Sequence, residues 1–191
     1  MATSPALMTY TFTQEQHGHL VPYIAALHAS CITLDHMVGP FLPPLTNEKL
    51  LPWWKERIAE SAKGTRIIVL LLPETAPGKK AMGTDLRGLA MLKLSETETG
   101  SFRGHIDAVL VDRRHRRQGG ARSLVAALEY EAAKKGRSLL LVDTETNSIA
   151  ETAFKNLGYI EIGKVPHFSR GLSNGKKGET FFYKEFLPSS S

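Results

Sequence analysis

Apolar positions along the chain follow two rhythms, short strand-like runs and stripes recurring every three or four residues. Residues 8–13, Met-Thr-Tyr-Thr-Phe-Thr, are mostly β-branched or aromatic and predict a first strand. Leu20, Ile24, Leu27, His28 and Cys31 recur at helical spacing and predict a helix over about 20–32, with Pro22 confined to its first turn. A second helix, opened by Thr46 or Asn47, carries Leu50, Trp54 and Ile58. Between them, residues 32–45 are apolar without a period, so they either cover a core edge or line a pocket. Residues 66–73 predict a buried strand, 74–85 an exposed turn, and 88–94 and 105–112 two further strands joined through polar residues 95–104. Sequential strands joined this way form an antiparallel meander. A helix over 118–135 turns Ala121, Leu124, Val125, Leu128 and Ala132 to one side and stops at Gly136. It leads to a buried strand at 138–143, a parallel βαβ crossover. A short helix over 147–156, a strand over 158–165, a flexible Gly- and Lys-containing loop over 166–178, a last strand over 179–186 and a frayed tail at 188–191 complete the chain. The expected architecture is one α/β (α+β) domain, ordered over 7–187, with a mixed sheet of about seven strands flanked by about four helices.

Composition narrows the chemistry. With 191 residues, 42% apolar and 23% charged, the chain suits one soluble domain with a sizeable core. No apolar run approaches the length that spans a bilayer, and residues 1–6 lack a basic region followed by an apolar one, so no membrane partner is expected and the cytoplasm is the expected location. The single cysteine, Cys31, excludes an internal disulfide and reads as a buried apolar thiol. His17, His19, His28, His36, His115 and His167 show no ligand spacing, and no metal is expected. The net charge of +5 is concentrated in Arg113–Arg122 and the Lys176–Lys177 pair. It is not spread over a face with interleaved aromatics, which points to a small anionic ligand and away from nucleic acid.

The stretch from Val109 to Leu124 is where that ligand would bind. The strand Val109-Leu110-Val111 runs into the basic turn Asp112-Arg113-Arg114-His115-Arg116-Arg117, which tightens at Gly119-Gly120 before a helix opens. A helix start offers unpaired N–H groups and the positive end of a dipole, and the glycines allow close approach to the main chain. Arg116, Arg117 and Arg122 add charge suited to phosphate oxygens. No Lys-Ser or Lys-Thr follows the glycines and no GxGxxG is present, so a nucleotide P-loop and a dinucleotide fold are set aside.

The run Arg116-Arg117-Gln118-Gly119-Gly120-Ala121 resembles the (Q/R)xxGx(G/A) signature of the GNAT superfamily of acyl-CoA-dependent N-acetyltransferases. Val111 precedes Arg116 by five residues, the family's interval between strand and loop, and the order of elements is the family's order. Asn147, Ala150, Phe154 and Leu157-Gly158-Tyr159 follow its Nxx(A/S)xxxYxxLG(F/Y) pattern, except that Phe154 stands where the family usually has tyrosine. Leu141-Val142-Asp143-Thr144-Glu145 and Ser148-Ile149-Ala150-Glu151 bring the resemblance nearest to the branch containing the tabtoxin resistance acetyltransferase.

The resemblance implies acetyl-CoA as co-substrate, with its pyrophosphate on Arg116 to Arg122 and its arm near Asn147, Ala150 and Phe154. The N–H groups of Val109, Leu110 or Val111 would then polarise the thioester carbonyl. The acceptor would be a primary amine on a small molecule, perhaps a toxin, an antibiotic or an amino-acid-like compound, acetylated for detoxification. The usual tyrosine commonly protonates the leaving thiolate, whose conjugate acid has a pKa of about 8.5, so water or another tyrosine could serve here. An amine attacks only as the free base, so a proton acceptor is required. Alternation along the fourth strand puts His105, Asp107, Val109 and Val111 on one face, and His105, expected mostly neutral near pH 7, is the first candidate base; it could equally be a hydrogen-bonded strand histidine. Asp143, ending the fifth strand, is the second, as base, as anchor for a cationic substrate, or as the cap of the next turn. Specificity is expected in 32–45 and 166–178, with Asp35, His36, Glu145 and His167 as possible contacts. The other reading is a non-catalytic acyl-CoA-binding module, for which Phe154 argues; a homodimer is compatible with either.

Overall fold

The computed structural model describes residues 6–76 and 78–186, so the expected tail at 188–191, with Leu187, lies outside the described residues. Seven strands form one sheet in the order β1-β2-β3-β4-β5-β7-β6. They are β1 (Leu7–Thr11), β2 (Arg66–Pro73), β3 (Gly88–Leu94), β4 (Arg103–Val111), β5 (Leu139–Glu145), β6 (Ile160–Arg170) and β7 (Lys176–Glu185). β4 and β5 run parallel, while the other neighbours are antiparallel. A single turn, α1 (Gln14–His17), precedes four longer helices, α2 (Val21–Asp35), α3 (Asn47–Ala62), α4 (Gly120–Lys134) and α5 (Ile149–Asn156). The mixed α/β sheet with four flanking helices is the architecture the apolar pattern predicts.

One apolar core lies on each face of the sheet. On one, Ile24, Leu27, Leu50 and Trp54 of α2 and α3 pack with Ile68, Leu70, Leu89, Met91 and Leu110. On the other, Leu124, Val125, Leu128 and Ala132 of α4 and Phe154 of α5 pack with Ile67, Val69, Leu71, Leu92, Ile106, Leu140, Val142 and Phe182. β2 is covered on both faces and every one of its residues is buried, which is why it reads as an unbroken apolar run. Each fully buried leucine or isoleucine there contributes roughly 1.5–3 kcal/mol. Cys31 is buried, as expected.

Two expectations are corrected. The first long helix continues to Asp35 and is closed by His36 in a left-handed conformation at φ 55°. The apolar residues that follow cover a core edge: Met37, Phe41 and Leu45 pack on the first core, with the Phe41 ring 5.5 Å from that of Trp53. The stretch 166–178, expected as a flexible loop, is largely hairpin, because β6 runs to Arg170 and β7 starts at Lys176. Pro166 falls where the register shifts between Val165 and Ser169 on the edge strand, a position where a missing N–H breaks no ladder bond. Phe168 packs edge-on against Phe181 at 5.2 Å.

Candidate active site

β4 and β5 pair only from Arg103–Leu139 to Ile106–Val142. Beyond that point β4 stays with β3 as far as Val111, and β5 stays with β7 as far as Glu145. The two strands therefore fork, and the gap between them is walled by the edges of residues 107–111 and 143–145. The Asp112 N–H donates to the Arg87 carbonyl at 2.8 Å, on the β3 side. Alternation then turns the Leu110 N–H toward β3 and the N–H groups of Val109 and Val111 toward the gap. Arg116 Nε reaches the Val111 carbonyl from the gap side at 3.1 Å. Of the three N–H groups expected to polarise a carbonyl, those of Val109 and Val111 face the gap and that of Leu110 does not.

At the open end of the fork, the basic turn is fastened by Asp112, whose Oδ1 accepts from the Arg114 N–H at 2.9 Å. Arg117 (φ 59°) and Gly119 (φ 81°) are left-handed, a backbone pattern of the kind that forms concavities suited to anions. Ser123 N–H bonds to the Gly119 carbonyl at 3.0 Å, while those of Gly120, Ala121 and Arg122 find no acceptor among the described residues. Nothing lies within 4 Å of where a Gly119 side chain would begin, so its main chain is open to a ligand. Gly120 has a different reason: a Cβ there would sit 2.7 Å from Leu71 Cδ2, and its absence lets α4 rest on β2. Arg117, Gln118 and Arg122 are exposed and in no ion pair among the described residues. Arg116, expected to face phosphate, is instead bound to the Asp35 carboxylate at the end of α2, which ties the loop to that helix.

Across the gap, Asn147 precedes α5 in a left-handed conformation (φ 63°), its N–H bound to the Glu151 carboxylate. α5 begins later than its apolar pattern suggests because Ser148 is the cap, its Oγ accepting from Glu151 N–H at 3.1 Å. Asn147 and Ala150 are exposed beside the end of β5. Phe154 is not on an open wall: its ring is buried against Tyr159 (5.2 Å) and Phe182 (6.4 Å). It is a core residue and carries no proton to donate.

The face of the sheet not covered by α4 and α5 holds a chain of charges. Met91 pairs with Ala108 but Leu92 pairs with Ile106, so Asp107 is the extra residue of a β-bulge. The bulge breaks the expected alternation. Ile106, Val109 and Val111 join the α4 side, whereas Ala108 and Leu110 pack toward α2. His105 and Asp107 thus share a face with each other and not with Val109 and Val111. His105 Nδ1 lies 2.9 Å from Asp107 Oδ1, and Nε2 lies 2.7 Å from Asp143 Oδ1. Asp107 is also bound by Arg66, which reaches Glu60 Oε2 at 2.6 Å. Hydrogen bonds to Asp107 and then Asp143 outweigh burial and push His105 up to about 9. The imidazole is therefore protonated at neutral pH, which corrects the expectation of a neutral base there. Burial would raise Asp107 and Asp143, but the bonds from His105, with Arg66 at Asp107, hold both below the usual aspartate range. Glu179 of β7 is 4% exposed and accepts from Ser169 Oγ; burial, then the neighbouring Asp143, pushes it up to about 7.

Arg66 and Glu179 are absent from the residues the sequence singles out, and Asp107 enters there only as a strand-face neighbour of His105. The spacing of three between Ile106 and Val109, where a regular strand gives two, is the signal that marks the bulge. Nothing local marks Glu179, which reaches the site only through the β5–β7 register. The other possible contacts are engaged: Asp35 by Arg116, and Glu145 by Lys177 Nζ at 2.6 Å. Among the described residues no group of His, Cys, Asp or Glu is arranged to hold a metal ion, and no helix is long and apolar enough to cross a membrane.

Residues 91–167 match the profile of the family described as FR47-like protein. A provisionally named acetyltransferase from Acinetobacter baylyi superposes with a TM-score of 0.75 at 14% identity, over 100% of this chain and 98% of that one. A second provisionally named acetyltransferase, from Salmonella typhimurium and solved with acetyl-CoA, gives 0.71 at 13% identity over 97% of each chain. An acetyltransferase of the GNAT family from Streptococcus pneumoniae gives 0.67 at 13% identity over 95% of this chain and 100% of that one. The forked sheet, with its loop at the start of α4, is the fold of the GNAT acetyltransferases.

Proposed function

We propose that this protein transfers the acetyl group of acetyl-CoA to a primary amine on a small molecule. The carrying observation is the fork itself. It sets two strand-edge N–H groups, from Val109 and Val111, at one end of the gap, and the open N–H groups of Gly120, Ala121 and Arg122 beside Arg117 and Arg122 at the other. That donor set fits an elongated ligand with a carbonyl at one end and phosphates at the other. Acetyl-CoA would supply the activated acyl group. Val109 and Val111 orient and polarise its carbonyl, and the α4 loop holds its pyrophosphate. Asp143, the first β5 residue past the fork, is 27% exposed at the side chain and faces the incoming amine, steadied by protonated His105. The carboxylates on this face favour a cationic acceptor, and residues 141–145 resemble the branch containing the tabtoxin resistance acetyltransferase.

Calorimetric titration with acetyl-CoA tests the binding half, with Gly119→Asp adding bulk and negative charge where the loop is open. Saturable binding to the wild type and none to the variant is expected. Thiol release from acetyl-CoA in the presence of glycine, lysine, spermidine or benzylamine tests the transfer. Binding with no release on any amine would favour the non-catalytic module, and absent binding would sink both.

A further inference from the structure

Resting on the amine-acetylation reading, we propose that Asp143 and Glu179 are a carboxyl–carboxylate pair that shares one proton and takes up the proton the acceptor ammonium must lose. Asp143 is the member that meets substrate. Glu179 is a buried positioning residue that sets where the pair titrates.

The register makes the pair. Glu179 lies opposite Glu145 and diagonal to Asp143, which is opposite Phe181, so the three carboxyl groups share one face of β5 and β7. Glu179 Oε1 accepts from Ser169 Oγ of β6. Oε2 is sealed from solvent, with no donor among the described residues, and the register sets the carboxyl diagonal to Asp143 on the same face. A buried acceptor with no donor is costly, and two carboxylates in contact resist joint ionisation. One proton on Oε2, donated to Asp143, resolves both conflicts.

Charge counting around the pair leads to the same place. From β4, His105 faces Asp143 and Asp107; from β2, Arg66 binds Asp107; on β7, Lys177 binds Glu145. Each of these cations is matched to a carboxylate, and among the described residues of this face Glu179 is the acid left without a counter-ion. A cationic amine beside Asp143 supplies one and favours the fully ionised pair. In the reaction an ammonium N–H bond breaks and an O–H bond forms on the pair. Nitrogen keeps the electron pair and forms the C–N bond to the acetyl carbon, the C–S bond breaks with its electrons on sulfur, and the second N–H proton leaves nitrogen for the thiolate, giving the amide and the free thiol. Asp143 alone, held below the usual aspartate range, would be a weak acceptor; the pair, with Glu179 pushed up to about 7, is matched to neutral pH.

The test combines carboxyl-carbon NMR titration with pH profiles of kcat/KM, using whichever panel amine releases thiol. In the wild type, the Glu179 carbon is expected to titrate near neutrality, with the Asp143 carbon responding in the same range. The acidic limb of the rate should follow it. Glu179→Gln keeps an N–H donor to Asp143 but cannot titrate, so the limb should fall by at least about one pH unit and the plateau at least about tenfold. Ser169→Ala removes the donor that favours ionised Glu179, so the limb should rise. Opposite shifts from two neighbours of one carboxyl are not what a merely structural role gives. A limb that moves in neither variant, or a Glu179 carbon titrating below about pH 5, overturns the proposal. The two readings fail separately. No thiol release with a neutral Glu179 titration ends the transfer reading and leaves the shared-proton pair standing; thiol release with an ordinary Glu179 titration does the reverse.

Discussion

His105 offers a direct check on the electrostatics of this face. Its imidazole is held between Asp107 Oδ1 at 2.9 Å and Asp143 Oδ1 at 2.7 Å, and its pKa is pushed from 6.5 up to about 9. At about 1.36 kcal/mol per unit, such a shift corresponds to roughly 3.4 kcal/mol between the two protonation states. The side chain is 40% exposed, so solvent screening reduces this to the order of 1 kcal/mol of folding stability. The folded value lies above the unfolded one, which fixes the sign: the contribution is whole below pH 6.5 and is lost as pH rises through about 9. Urea unfolding of wild type and His105→Gln at pH 6, 7.5 and 10 would read it directly. The variant is expected to be about 1 kcal/mol less stable at pH 6, with the gap closing by pH 10. The Cε1 proton, assigned by its loss in the variant, should titrate well above the ordinary histidine range. A signal titrating between pH 6 and 7, or a stability gap that ignores pH, would refute the imidazolium clamp and return His105 to candidacy as the base.

Two other perturbations probe the supports around the site. His28 is pushed down to about 4 by burial, with the rings of Trp53, Trp54 and Phe41 between 5.4 and 5.9 Å away. Its folded value is depressed, so its contribution is present above pH 6.5 and lost as pH falls through about 4; relative to His28→Leu, the wild type should lose about 2 kcal/mol between pH 8 and pH 5, measured by urea midpoints. Asp35→Asn removes the carboxylate that holds Arg116, and the loosened loop is expected to bind acetyl-CoA roughly three- to tenfold more weakly by calorimetry, with the fold unchanged by circular dichroism.

The parts legible in the sequence are those decided by local spacing. The buried run of β2 and the Leu124, Val125, Leu128 stripe of α4 can each face only a covered sheet and a core, and the basic loop proposed to hold phosphate is contiguous from Arg116 to Arg122. Residues whose role depends on partners far along the chain were not legible. The freedom of Arg116 is decided by Asp35 on another element, and the burial of Phe154 by Tyr159 and Phe182. Glu179 requires two registers at once, β5 on β7 and β7 on β6, before Asp143 and Ser169 come within its reach. The hairpin at 160–185 was hidden because Pro166 and the glycines read as loop, although an edge strand accommodates both through its register shifts.

The bulge at Asp107 links the charges to the fork. In a regular strand a one-residue slip exchanges the two faces and also exchanges which N–H groups point left and right along the sheet. Without the bulge, and with Asp107 paired regularly, Val109 and Val111 would carry their side chains on the face of His105 and aim their N–H groups at β3, leaving Ala108 and Leu110 to face the gap. With it, Leu110 packs into the α2 core, Val109 and Val111 pack toward α4, and their N–H groups meet the gap. The same inserted residue is Asp107, which supplies the second carboxylate that keeps His105 charged and so keeps Asp143 ionised beside the fork. The donors that would polarise a carbonyl and the cation that readies the carboxylate opposite it thus depend on one local irregularity. Pairing Asp107 regularly would turn the Val109 and Val111 donors away and leave its carboxylate beside His105, while deleting it would keep the donors and remove the carboxylate.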